Sequence, residues 1–162
     1  MFFVSFCTMD RMEGQFFTST EAAEITRCSR RQLQYWREQE IVVPAVNTTG
    51  KGRNVYYSLT DLLALTLMEY LLSLGLSFEV CQSALNFLRA VDPKLFEHPL
   101  HNKGERRFML WQSAAEEALR CTEFDEQKAI AAIQDGRAIV PIQIEALGKR
   151  LEKRLQLVGT PS

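Results

Sequence analysis

The sequence lacks several features that mark specialised classes of protein. No two of its four cysteines, Cys7, Cys28, Cys81 and Cys121, have the short spacing of a zinc knuckle or a redox motif. Its five prolines and eight glycines among 162 residues exclude a collagen-like fibre, and its 46% hydrophobic content excludes a disordered tail. A chain of this length can bury a core without disulfides. Reduced thiols in a cytoplasmic protein are therefore the simpler interpretation.

Long hydrophobic runs are also missing. The longest apolar run, residues 62–76, contains Glu69 and is shorter than the ~20 residues that a membrane span needs. The N-terminus is apolar, but it lacks the basic start and long apolar core of a signal peptide. We therefore expect a disordered leader over residues 1–14, with Met9 or Met12 as alternative starts, and no membrane partner.

The chain also lacks a large net charge. The chain has 19 Lys and Arg against 20 Asp and Glu, a net charge of −1, whereas proteins that coat nucleic acid carry a large basic excess. Residues 27–53, however, contain six basic and two acidic side chains, a local excess of +4. The basic residues are Arg27, Arg30, Arg31, Arg37, Lys51 and Arg53.

Two helix-start signals accompany this basic region. Thr18 and Glu21 have the spacing of a capping box, and Ser29 and Gln32 repeat it. They predict a short helix over 21–26 and a second helix ending near Glu38. Two short helices joined by about three residues form the helix-turn-helix pattern.

A hairpin and two longer helices follow in the sequence. Residues 41–46 are extended in character, residues 47–53 are turn-rich and basic, and residues 54–57 resemble a returning strand, which together predict a β-hairpin. A helix from Ser58 to about Leu74 carries leucines on more than one side, so we expect it to be buried on two sides. Another helix is predicted from Ser77 to about Val91.

The remaining sequence predicts a linker and a small mixed region. Residues 92–105 hold two prolines and little periodicity, which is typical of a linker. Beyond it we predict strands at 107–111 and 138–144 and helices at 126–133 and 145–157, while 114–121 is left as either a helix or a second hairpin arm. The basic residues of the last helix are interpreted as a solvated face opposite its leucines; they are Lys149, Arg150, Lys153 and Arg154.

The start of the second helix carries side chains suited to reading DNA. The N-terminal end of a recognition helix enters the major groove, and Arg30 and Arg31 lie at that end. Arginine can bond guanine bidentately, as glutamine can bond adenine. Two arginines at a helix start are usually an ordinary solvated face, but the order of helix pair, basic hairpin and further helices favours DNA binding.

Residues 17–85 resemble the winged helix-turn-helix domain of the MerR-type transcription regulators. The matching motifs are QLQYW, IVVP, GRNVYYS, the Asp-Leu start of the next helix and LGLSFEVCQSAL. Their form is similar to that of a sub-group with a small α/β C-terminal domain. The resemblance implies a mainly α fold: a winged helix-turn-helix with a following helix pair at 15–91, and a small α+β dimerisation or effector domain at 106–158.

The resemblance also implies which residues would contact DNA. Arg30, Arg31 and Gln34 would face the groove and Tyr35 would touch phosphate, whereas Trp36 and Tyr57 would pack inward. Arg37 and the hairpin residues would add contacts; the predicted DNA-binding set is Arg30, Arg31, Gln34, Tyr35, Arg37, Lys51, Arg53 and Asn54. The implied partners are double-stranded DNA with two half-sites, a second copy of the chain, and RNA polymerase, while the effector ligand is left open.

The sequence departs from the family pattern at three points. Gln34 stands where most members have an arginine, and Asn54-Val55 replaces the usual Tyr-Arg of the wing. The long dimerisation helix is replaced by the proline-containing linker, so we expect the C-terminal domain to dimerise, with the helix at 59–74 as the alternative. Gln34 and the near-neutral charge support an alternative function, a protein-interaction adaptor that keeps the fold without binding DNA.

No residues suggest an enzyme, a cofactor site or a metal site. There is no nucleophile–base pair, phosphate loop or paired carboxylate motif. Cys28 and Cys81 are interpreted as packed thiols, and His98 and His101, a loop pair without a third ligand, as surface polar residues.

Overall fold

A computed structural model describes residues 14–47, 54–97 and 106–158, and its first two helices begin at capping boxes. Thr18 Oγ1 accepts a hydrogen bond from the Glu21 N–H at 3.2 Å, and the Glu21 carboxylate accepts one from the Thr18 N–H at 2.8 Å. Helix α1 spans Ser19–Thr26 and α2 spans Arg30–Glu38, with the same reciprocal pair between Ser29 and Gln32. The predicted helix pair is confirmed.

A three-stranded antiparallel sheet lies beside the helix pair. Its strands are β1 (Phe17–Thr18), β2 (Val46–Asn47) and β3 (Val55–Tyr57), in the order β1-β3-β2. The pairing of β2 with β3 agrees with a hairpin whose tip, residues 48–53, lies outside the described residues. Strand β1 was not predicted, since two residues show no alternation.

The extended segment predicted over residues 41–46 is a strand only at its last residue, Val46, and its first two residues turn back toward α2. The backbone N–H groups of Ile41 and Val42 both donate to the carbonyl of Trp36, at 2.8 and 3.4 Å. Both side chains are buried. The segment therefore folds back over the end of α2, and only Val46–Asn47 continues as a strand.

Helix α3 (Leu59–Ser73) is buried on both sides, as predicted. Leu62, Leu63, Leu65 and Leu67 are each 0% exposed, which no single apolar stripe could produce. Gly75, at φ +84°, ends this segment with a left-handed residue. Ser77 then caps α4 (Phe78–Val91).

A second antiparallel sheet forms from β4 (Arg107–Gln112), β5 (Leu119–Glu123) and β6 (Ile139–Gln143). The strand order is β5-β4-β6, so Leu119–Glu123 is the second arm of a hairpin and not a helix. Helix α5 (Glu126–Gln134) packs against β4 and β6, and α6 (Ile144–Val158) follows β6.

The second sheet and α6 pack directly on the helices that precede them. Helix α6 lies against α1 and α3, and Phe108 of β4 meets Phe87 of α4 edge-on at 6.4 Å between ring centroids. Tyr70 Oη donates to the Pro141 carbonyl at 2.9 Å. Buried residues from both parts form one continuous hydrophobic cluster. The proposed division into 15–91 and 106–158 stays a prediction.

The interpretation of Arg154 as part of a solvated face is wrong, since the residue is only 9% exposed. It follows Leu151 by three positions and Leu147 by seven, so helical periodicity places it on the leucine face. Lys149, Arg150 and Lys153 are exposed, and Arg150 lies 5.1 Å from the centre of the Tyr70 ring.

Candidate nucleic-acid interface

Helix α2 is fixed to the core by one face and exposes the other. Leu33 and Trp36 are 2% and 1% exposed and hold the helix in place. Arg30, Arg31 and Gln34 are exposed. Because positions i, i+1 and i+4 lie on one side of a helix, the three polar side chains project together from the first turn and a half.

These side chains line an open cleft of about 400 Å³. The cleft is shared by α1, α2 and β3, and its lining residues are Ser19, Arg30, Arg31, Leu33, Gln34, Arg37 and Tyr57. The structure thus brings together four of the predicted contact residues: Arg30, Arg31, Gln34 and Arg37. Among the residues that the structure describes, its walls hold three guanidinium groups and no carboxylate, a combination that suits a phosphate backbone.

Backbone dipoles add to the positive character of the cleft. Ser19 is the first residue of α1 and Arg30 the first of α2, so the cleft lies at two helix N-termini. Each N-terminus carries a partial positive charge. Gln34 is oriented by a hydrogen bond from its Nε2 to the Glu38 carboxylate at 2.8 Å. That bond leaves its amide oxygen free to accept another.

The other predicted contact residues lie outside the cleft lining. Tyr35 is 47% exposed and packs the edge of its ring against Phe78 at 5.6 Å between centroids. Asn54 is exposed immediately before β3. Lys51 and Arg53 lie outside the described residues.

Three cleft residues were not expected there from the sequence: Ser19, Tyr57 and Leu33, which was predicted to point into the core. Ser19 adds a hydroxyl from the start of α1, next to the cap residue Thr18. Tyr57 is 1% exposed, as the packing role predicted for it requires, yet it also forms part of the lining. The capping box could have pointed to Ser19, but the sequence contains no signal that brings β3 to this face.

The turn between α1 and α2 is held from inside the protein. Arg27 takes the left-handed conformation at φ +62°, and Cys28 turns inward to 4% exposure. The Cys28 thiol donates to the Leu65 carbonyl of α3 at 3.7 Å. Burial raises the pKa of Cys28 to about 11. Cys28 is therefore a packed thiol, as predicted.

The other described thiols are also removed from solvent, fully or in part. Cys81 is 0% exposed and Cys121 is half-buried, and burial raises the pKa of these two thiols to about 11 and about 12. Within residues 14–47, 54–97 and 106–158, no three His, Cys, Asp or Glu residues are grouped to hold a metal ion. None of the helices in these ranges is both long and apolar enough to cross a membrane.

The segment that contains this surface is similar to known proteins. Residues 17–88 match the family described as MerR HTH family regulatory protein. An uncharacterized HTH-type transcriptional regulator of Mycobacterium tuberculosis (strain H37Rv) and another of Mycobacterium bovis are each 32% identical over 74 residues, or 45% of this chain. The matched part is 33% of the length of each relative. Residues 17–88 are therefore similar in sequence to the helix-turn-helix domain of MerR-type regulators.

Proposed function

We propose that this protein is a sequence-specific DNA-binding transcriptional regulator that acts as a homodimer on an operator with two half-sites. The observation that carries the proposal is the arginine-lined cleft at the exposed side of α2. The family of its helix-turn-helix domain, which is one of transcriptional regulators, supports it. As a regulator bound at a promoter, it would have RNA polymerase as a further partner.

In the proposed complex, the N-terminal end of α2 enters the major groove. Arg30 and Arg31 are the candidates for base contacts, because they project from that end and are exposed. Gln34 offers its free amide oxygen one turn further along. Together they give the protein a means of distinguishing guanine and adenine positions.

A second set of residues would hold the DNA backbone. Arg37 and Ser19 line the cleft and present a charged and a neutral donor. Lys51, Arg53 and Asn54 of the predicted wing, with Tyr35, complete the proposed contacts. Such contacts fix the register of the protein on DNA without reading its sequence.

The experiment that tests the function is selection of DNA from a random-sequence library by the purified full chain. We expect enrichment of a motif with two related half-sites, and fluorescence anisotropy should show tighter binding to it than to a shuffled duplex by about 10³-fold or more. Affinity should fall steeply with salt. No enrichment and no retention on DNA at low salt, together with a stoichiometric protein partner on pull-down, would instead support the adaptor.

The second copy is proposed to dock through the outer face of α5. Ile130 and Ile133, one helical turn apart, are 48% and 63% exposed. Helix α5 packs against β4 and β6, and none of its residues lines the cleft, so an interface there would not use the cleft residues. In a two-fold dimer this patch would contact the same patch of the second copy, and both isoleucines of each copy would be buried.

Ile133→Asp is expected to weaken the dimer at least about 100-fold. Each dimer would lose two isoleucine contacts worth about 1.5–3 kcal/mol apiece. Sedimentation velocity across a concentration series measures the change. The matched control is Leu74→Asp, at a leucine that is 51% exposed at the end of α3. A wild-type protein that stays monomeric, or equal dimer stability in both variants, would contradict the proposed interface.

A further inference from the structure

One buried arginine joins three helices that are distant in sequence. Arg154 of α6 donates from Nη1 to the carbonyl oxygen of Thr26 at 3.1 Å. Its Nη2 donates to the Glu69 carboxylate of α3 at 3.2 Å. The side chains of Arg154 and Glu69 are 10% and 20% exposed. The guanidinium therefore bridges the end of α1 and the middle of α3, with one terminal nitrogen bonded to each.

The Thr26 carbonyl lies where α1 ends and the turn into α2 begins. Thr26 is the last residue of α1, and its carbonyl belongs to the group that helices leave without an internal partner. The helix dipole places partial negative charge there, so a cation is stabilised. Only three residues separate Thr26 from α2. A contact that fixes this carbonyl therefore also fixes the direction in which the chain enters the next helix.

The other contacts of this turn lead to α3 or stay within α1 and the turn itself. The Cys28 thiol reaches the Leu65 carbonyl, one helical turn before Glu69. The Thr26 hydroxyl donates to the Ala22 carbonyl at 2.7 Å and accepts from the Cys28 N–H at 3.4 Å. Arg154 is thus a side chain that links α6 to the start of the turn by a hydrogen bond.

We infer that Arg154 is a positioning residue for DNA reading, which sets the orientation of α2 from the C-terminal part of the chain without touching DNA. The inference rests on the proposed function. It gives the C-terminal helix a direct physical means of changing DNA affinity: any change that withdraws α6 removes the cation from the end of α1.

The test compares variants that remove one positive charge from α6. Arg154→Met removes the buried charge, and Lys153→Met removes the exposed charge of its neighbour. Arg154→Lys keeps the charge but loses the fork that reaches two acceptors. Affinity for the selected DNA and for a shuffled duplex is measured by anisotropy at 10 °C. Amide hydrogen exchange is followed at Cys28 and at Leu33, whose N–H donates to Ser29.

We expect Arg154→Met to lower the ratio of specific to shuffled-DNA affinity at least tenfold and to speed exchange at both amides at least tenfold. Arg154→Lys should restore part of both losses. Lys153→Met should change each quantity less than twofold. If Arg154→Met does not fold, Glu69→Gln is compared with Lys153→Met in its place. We expect it to lower the ratio of specific to shuffled-DNA affinity threefold.

Three outcomes separate the inference from the proposed function. A folded Arg154→Met protein with the wild-type affinity ratio and exchange rates overturns the inference alone. Equal effects of Arg154→Met and Lys153→Met also overturn it, since charge and not position would then matter. A wild-type protein without any DNA preference overturns the proposed function and the role in reading, while faster exchange in Arg154→Met would still identify Arg154 as the residue that fixes the turn.

Discussion

Replacing Trp36 with alanine should lower the free energy of unfolding by about 3–5 kcal/mol, because the substitution leaves a large cavity under α2. The side chain is 1% exposed and is among the largest fully buried groups in the described chain. The Trp36 carbonyl also receives the N–H groups of Ile41 and Val42. Loss of the indole would therefore loosen both α2 and the segment that folds back over it.

Urea denaturation followed by circular dichroism measures this effect. Tyr35→Ala is the matched control, since it truncates the neighbouring aromatic residue, which is 47% exposed. The control should cost less than about 1 kcal/mol. If both variants lose equal stability, the packing assigned to α2 is incorrect. For a domain with an ordinary total of about 5–15 kcal/mol, Trp36→Ala would leave little margin at 37 °C.

Arg30→Ala and Arg31→Ala are each expected to reduce discrimination between the selected DNA and single-base variants of it by about 5- to 150-fold. This corresponds to the loss of a bidentate contact worth about 1–3 kcal/mol. The effect should be confined to one base position per arginine. Gel-shift or anisotropy titrations against a panel of point-substituted duplexes measure it.

Two further variants separate base reading from general attraction. Lys51→Ala, at the predicted wing tip, should weaken binding to all duplexes alike and reduce the salt slope by about one. Lys149→Ala removes an equal charge from the exposed side of α6 and should leave discrimination unchanged. Identical behaviour of the wild type, Arg30→Ala and Arg31→Ala would exclude α2 as the reading element.

The elements that the sequence predicts well are those set by local contacts. The capping boxes at Thr18 and Ser29 involve residues three apart, so the starts of α1 and α2 could be predicted correctly. Burial of α3 on two sides could also be predicted, because its leucines lie on more than one side of the helix. The candidate site benefits in the same way, since Arg30, Arg31, Gln34 and Arg37 follow helical spacing within one element.

The features that the sequence did not predict depend on partners far along the chain. Strand β1 exists because Phe17 pairs with Tyr57, and residues 119–123 are a strand because β4 accepts them. Local propensity could not decide either case. Tyr57 lines the cleft because of the same kind of distant strand pairing. The charge of Arg154 favours an exposed position, whereas its spacing from Leu147 and Leu151 favours the buried face of α6. The structure follows the spacing.

The contact between Arg154 and Thr26 also bears on the order of events during synthesis. The two residues are 128 positions apart, so the end of α1 leaves the ribosome long before the guanidinium that holds it. A nascent chain therefore lacks one of the contacts that fix the α1–α2 turn until Arg154 has been made. If the proposed function is correct, translation products that end before Arg154 would compete poorly for the selected DNA.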